Sequence, residues 1–304
     1  MKMQLKKNRE VSGSLMIDVI VAIFPAVLAG IIFFGPRAIL MILASVISAG
    51  VAEYLYCKIA KKENSLFDLS FVVTGILIAL NVSSLAPVYA VCLASAVSIV
   101  LVKMIFGGVE KNILNPSAFG VVILMALCFK GMNNWADPFQ WFTKCDTLPA
   151  PPPLIAEDVA FTPMQLLFGL HKGNIGETSI VLLLIGGIYL VIRKVITPII
   201  PLSFMGTVVI FSFILGANPI TAILSGNVVL CAIFMATEYS TSPSKPMMQL
   251  GFGLGCGILT SIFRYLGIIF QAAPLAILIM NILFFIGKFI YDKYKSKQKE
   301  IIEE

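Results

Sequence analysis

The residues best suited to chemistry stand together at Gly173-Asn174-Ile175-Gly176-Glu177-Thr178-Ser179, and an apolar stretch begins at Ile180. Hydroxyls that follow a glycine turn and open a helix belong at an N-cap. Thr178 or Ser179 therefore meets unpaired backbone N–H groups and the positive end of the helix dipole, a setting that favours an anion. A phosphate is stable in such a place. Gly173 and Gly176 let the backbone turn tightly and leave room beside the hydroxyl. An ordinary hydroxyl cap after a glycine turn accounts for the same residues.

Other groups carry weaker signals. Asn115-Pro116-Ser117 reads as an N-cap followed by a helix-first proline. Met235 to Pro246 is a polar strip of Ser and Thr hydroxyls with Glu238 and Lys245, either a plain loop or a source of oxygen ligands. Gly251, Gly253, Gly255 and Gly257 form overlapping G-x-x-x-G pairs, which first suggest close helix packing and second the approach of backbone to a flat ring. Asp18, Glu53, Asp68 and Glu238 sit near the ends of apolar runs, so they assign no ion path. The six cysteines form no C-x-x-C pair and read as small core residues, with no metal expected. His171, the single histidine, reads as a solvated loop residue. No nucleotide-binding loop or dinucleotide fingerprint is present.

The elements that must position these residues follow from composition. The chain of 304 residues is 59% hydrophobic and 12% charged, with a mean hydropathy of +0.96 along its whole length. That excludes a disordered chain, a disulfide scaffold and a soluble enzyme with one anchor, and leaves an all-α polytopic membrane protein. Apolar runs fall near Leu15–Phe34, Ile39–Tyr56, Leu69–Ser84, Val88–Phe106 and Ser117–Phe129, then Ile180–Ile192, Ile199–Leu215, Ile220–Ala236, Met247–Phe263 and Ala272–Tyr291. The runs are continuous rather than alternating, so about ten helical segments are expected and a β-barrel is not. With the N-terminus inside, 17 of the 22 Lys and Arg face the cytoplasm, Lys103 and Lys111 among them, and Arg37, Lys130, Lys144, Lys172 and Arg264 face outward.

Short or interrupted runs predict broken helices, at Thr74-Gly75 and at Ser225-Gly226. These dipeptides lie almost half the chain apart and suggest two inverted five-helix repeats, with a ligand site near their interface. The expected layout is a cytoplasmic N-terminus (1–14), a first half (15–130), an extracytoplasmic loop (131–178), a second half (179–292) and a cytoplasmic tail (293–304). The loop holds Trp135 and Trp141, which suit the headgroup belt, and Thr162 to Leu170 predicts a short interfacial helix.

The string Gly173–Ser179 before a helix resembles the flavin attachment site of a membrane-protein family. The family comprises the D subunit of the Rnf electron-transport complex and its sister, the B subunit of the sodium-pumping NADH:quinone oxidoreductase. Lys111 to Gly120 (KNILNPSAFG), Asp68 to Leu80 (DLSFVVTGILIAL) and Met235 to Pro243 (MATEYSTSP) are similar to further segments of that family, although Glu238-Tyr239 stands where Asp-Pro is usual. The resemblance implies FMN joined to Thr178 through a phosphoester, with Ser179 as the alternative attachment point. Gly176, Glu177, Asn115, Pro116 and Ser117 would surround the flavin. Threonine is a poor nucleophile, so a flavin transferase must supply the activating base. A second, noncovalent flavin such as riboflavin is also suggested by the family. The implied function is membrane subunit of an ion-translocating (Na+ or H+) ferredoxin:NAD+ oxidoreductase in the cell membrane, partnered by the other subunits and not by nucleic acid. A channel or transporter on the same scaffold without redox chemistry is the alternative.

Overall fold

The computed structural model describes residues 2–63, 65–132, 136–141, 162–177, 179–268 and 271–303, and every regular element among them is helical. In chain order they are α1 (Lys2–Phe34), α2 (Pro36–Ile59), α3 (Ser70–Leu80), α4 (Val88–Ser98) and α5 (Pro116–Met132) in the first half, with α4 prolonged by π turns over Ile99–Met104. The short α6 (Pro163–Phe168) follows. The second half holds α7 (Ile180–Ile192), α8 (Ile199–Ile214), α9 (Pro219–Leu224), α10 (Val228–Leu230) with π turns over Cys231–Met235, α11 (Pro246–Tyr265) and α12 (Ala272–Glu303). A proline opens α2, α5, α6, α9 and α11, where its missing N–H costs nothing and its fixed φ suits a helix. α6 lies within the stretch expected from Thr162 to Leu170 and is opened by a capping box of Thr162 and Gln165.

Among the described residues four helices are long and apolar enough to cross a membrane: Gly13–Phe34, Pro36–Ile59, Pro246–Tyr265 and Ala272–Lys295. Five shorter apolar helices and the broken α9–α10 segment complete the expected ten. Large apolar side chains such as Ile32, Ile47, Ile188 and Phe213 cover the outside, a surface suited to lipid. Inside, small residues set the helix spacing. A Cβ on Gly253 would meet the Ile200 carbonyl oxygen at 2.9 Å, and one on Gly257 the Phe204 carbonyl oxygen at 2.8 Å. These two glycines therefore seat α11 on α8, whereas Gly255 faces Met280 of α12 and Gly251 faces open space.

The packing repeats. α2 lies on α4 as α8 lies on α11, and α4 meets α5 as α11 meets α12. α1 meets α7 and α5 meets α12 across the seam, as like elements do about a twofold axis. Five segments per half turn the second half upside down relative to the first.

One expected break is corrected. Thr74-Gly75 lies within unbroken α3, where a Cβ on Gly75 would sit 2.7 Å from the Val46 Cα. That glycine serves close approach of α2 rather than a turn. The chain breaks at Leu69 instead, whose φ of 57° separates the single turn Leu66–Asp68 from α3. In the second half it breaks as expected around Ser225-Gly226, and Asn227, at φ 58°, opens α10.

Candidate functional site

The bundle has a tail end, where α1 begins and α12 finishes, and a loop end, where α1 finishes and α7 begins. Gly173 to Glu177 lies at the loop end, wedged among three elements. The Ile175 N–H donates to the Val82 carbonyl beyond α3 at 2.9 Å. A Cβ on Gly176 would lie 2.6 Å from Leu80 Cβ, and one on Gly30 of α1 would lie 2.8 Å from the Ile175 carbonyl oxygen. Both glycines are needed because backbone passes where a side chain cannot.

Glu177 is 2% exposed. Its Oε1 accepts from the Gly226 N–H at the loop-end break, and its Oε2 accepts from the Asn174 N–H at 3.4 Å. Arg264, near the end of α11, is 3% exposed and reaches the same break from the other side. It donates to the Ala222 carbonyl and, at 2.8 Å, to Ser225 Oγ. Among the described residues the Asn174 Nδ2 atom and both polar atoms of the Asn227 amide are buried without a partner, which leaves hydrogen-bonding capacity for a polar ligand.

Thr178 lies outside the described residues. Of the two candidate caps Ser179 is the one observed, its Oγ accepting from the Leu182 N–H at 3.4 Å. The expectation that His171 is solvated is overturned: it is 1% exposed, with Nδ1 2.9 Å from the Lys172 carbonyl oxygen. Lys172 pairs with Asp137 at 3.7 Å, which ties this loop to the segment after α5. Trp141 is half exposed and donates from Nε1 to the Ile32 carbonyl at 3.0 Å. Trp135 and Cys145 lie outside the described residues.

Asn115, Pro116 and Ser117 are placed elsewhere. Asn115 is the expected N-cap, its Oδ1 accepting from Ala118 N–H at 2.8 Å, and its Nδ2 donates to the Met235 carbonyl at 2.8 Å. With Lys103, Asn112, Thr237 and Glu238 these residues line a cavity of about 60 Å³, which the far end of α7 closes through Leu190. α7 spans about 20 Å, so the Asn115 segment does not join Gly176 and Glu177. Residue pattern assigned them to one pocket because it carries no information on which end of the bundle each helix start occupies.

Glu238, just past the π turns, accepts from Thr241 and Ser240 at 3.0 Å and from Asn112 at 3.4 Å. The surrounding protein withdraws water from its carboxyl and pushes it up to about 7, against those hydrogen bonds.

The tail-end break carries a cluster that sequence reasoning missed. Lys103, counted as a cytoplasmic loop charge, is 1% exposed inside the bundle. Its Nζ donates to Glu53 at 2.7 and 2.8 Å, to Asp68 at 3.0 Å and to Ser70 Oγ at 2.6 Å. Arg264, counted as an outward charge, is buried too. Each is a single charge flanked by apolar residues, in LVKMIF and SIFRYL, and that flanking was the available signal.

A family model described as the NQR2, RnfD, RnfE family matches residues 3–294. The chain is 34% identical over 278 residues to the D subunit of the Na(+)-translocating ferredoxin:NAD(+) oxidoreductase complex of Acetobacterium woodii, covering 89% of this chain and 86% of the relative. It is 32% identical over 289 residues to the D subunit of the proton-translocating ferredoxin:NAD(+) oxidoreductase complex of Clostridium ljungdahlii, covering 88% and 87%. It is 32% identical over 283 residues to the D subunit of the ion-translocating oxidoreductase complex of Rhodobacter capsulatus, covering 80% and 79%.

Proposed function

Because the chain belongs to the NQR2, RnfD, RnfE family, we propose that it is the D subunit of an ion-translocating ferredoxin:NAD+ oxidoreductase complex and carries FMN as a phosphoester on Thr178. The observation that supports this most directly is the fixed approach to Thr178. Gly176 and Glu177 are locked between α3 and the loop-end break, and Ser179 immediately starts α7. A flavin supplies electron transfer when bound, and the protein supplies position and electrostatics.

The residues present suit such a group. Attachment through the phosphate leaves the ring free, and the Asn174 amide and the adjoining break offer unused hydrogen-bonding atoms. Glu177 holds the backbone rather than the phosphate. With no nucleotide fingerprint in the chain, ferredoxin and NAD+ react on other subunits, and a flavin transferase installs the FMN. The charge bias supports a place in the cell membrane with both termini cytoplasmic and the loop end outside. A riboflavin held without a covalent link is the second cofactor of this reading, and denaturing extraction of the purified subunit should release it.

Mass spectrometry of the peptide containing Thr178, from a host that supplies the transferase, should show an added FMN. Thr178→Ala should lose in-gel flavin fluorescence while still inserting in the membrane, and Ser179→Ala should keep the fluorescence. An unmodified Thr178 peptide from active complex overturns the assignment.

A further inference from the structure

We propose that Glu177 and Arg264 are positioning residues for the cofactor tether, acting as the two jaws of a clamp on the loop-end break; the inference rests on the flavin reading above. The break lies between them. Arg264 holds its first side through the Ala222 carbonyl and Ser225 Oγ, and Glu177 holds its second side through the Gly226 N–H. Glu177 is the residue directly before Thr178. The same carboxylate also accepts from the Asn174 N–H, so it closes the turn that delivers the hydroxyl.

The tail-end break carries a comparable arrangement. There the carboxylate on the break is Asp68 itself, accepting from the Ser70 N–H at 2.9 Å, and the cation is Lys103 from the π turns that prolong α4, the counterpart of α11 in the packing. Both jaws there are anchored in the helical bundle or the break. At the loop end one jaw has been moved to the attachment loop. A carboxylate at 177 is not needed to cap α7, since Ser179 does that. It also lies in the electrostatic field of Arg264, but the guanidinium's hydrogen bonds go to Ala222 and Ser225 and those of the carboxylate to Gly226 and Asn174, so the two meet through the break itself. Its specific product is a rigid link from α11 to the residue before the tether.

The full chain is tested in the assembled complex with the flavin transferase present, and the Thr178 peptide of the parent is checked first by mass spectrometry. A parent peptide without FMN refutes the flavin reading; a parent with FMN allows the clamp to be judged by itself. Arg264→Met, far from the transferase's target in sequence, should reach the membrane at the parent level with a flavin-to-protein ratio at least threefold lower. Arg264→Lys and Glu177→Asp should keep at least half the parent ratio. The Glu177→Gln/Arg264→Met double variant should lose no more flavin than the worse single variant, because both act through one link. A flavin ratio and midpoint potential in Arg264→Met equal to the parent's overturns the proposal, as do losses that multiply in the double variant. If Arg264→Met does not accumulate, Ser225→Ala decides: a lowered flavin ratio supports the clamp and an unchanged one overturns it.

Discussion

At the tail-end break a buried lysine meets two carboxylates and a serine hydroxyl; at the loop-end break a buried arginine meets a carbonyl and a hydroxyl, and the carboxylate arrives from a different segment. The backbone at the two breaks is nearly the same, with left-handed Leu69 and Asn227 at φ 57° and 58°. The charges are not. In the tail-end cluster Lys103 reaches both carboxylates and the Ser70 hydroxyl, and Asp68 also holds the Ser70 N–H. The loop-end site leaves the amide of Asn227 and Nε of Arg264 without partners among the described residues. Unsatisfied buried polar groups cost free energy, so the second half gives up stability at the end that adjoins the proposed tether. The two breaks thus share a backbone form and differ in how fully their polar groups are paired.

The difference can be broken most forcefully at the tail end. Lys103→Met leaves Glu53 and Asp68 buried against each other, and should lower stability by about 3–5 kcal/mol, read as a large fall in the thermal unfolding midpoint in detergent. Arg264→Met removes donors from neutral acceptors and a positive charge from the field at Glu177, whose backbone N–H partners remain, and should cost less, about 2–3 kcal/mol, by the same measurement. Equal losses at the two sites would erase the distinction between them. Ser179→Ala should cost about 1 kcal/mol as a lost cap, while Thr178→Ala should leave the unfolding midpoint of unflavinylated protein nearly unchanged. The reverse order would return the cap to Thr178.

A dependence on pH extends the comparison at the tail end. Glu238 has a folded pKa of about 7 against an ordinary 4.5, so the folded chain holds more proton than the unfolded one between those values. Stability from this group is therefore full below about pH 4.5 and declines as pH rises towards 7. Glu238→Gln should flatten the unfolding midpoint across that window. An identical slope in the variant would assign the pH dependence to another group.

Much of the architecture was legible from the chain because lipid leaves few choices. Runs such as Ala272–Tyr291 have to be helices, and the proline positions mark their starts. Ser225-Gly226 was readable as a break because its glycine takes the left-handed φ of 67° that a turn asks for. Thr74-Gly75 was misleading because its glycine answers to Val46, a residue of another helix. The Gly173–Ser179 string was readable as a candidate site from its own residue types. Its partnership with Gly226 was not, since that contact joins positions 49 residues apart, and Arg264 lies further still along the chain. His171 failed for the same reason, as its burial depends on a loop folding back.

Hydrophobic periodicity, helix starts and the charge count were determined by the sequence alone, because each follows from the free energy of single groups in lipid or water. Which helix start lies at which end, which lysine is buried, and which carboxylate holds which break were decided only by tertiary structure. A buried charge is tolerable only where an opposite or hydrogen-bonding group meets it in space, and no local pattern carries that distance.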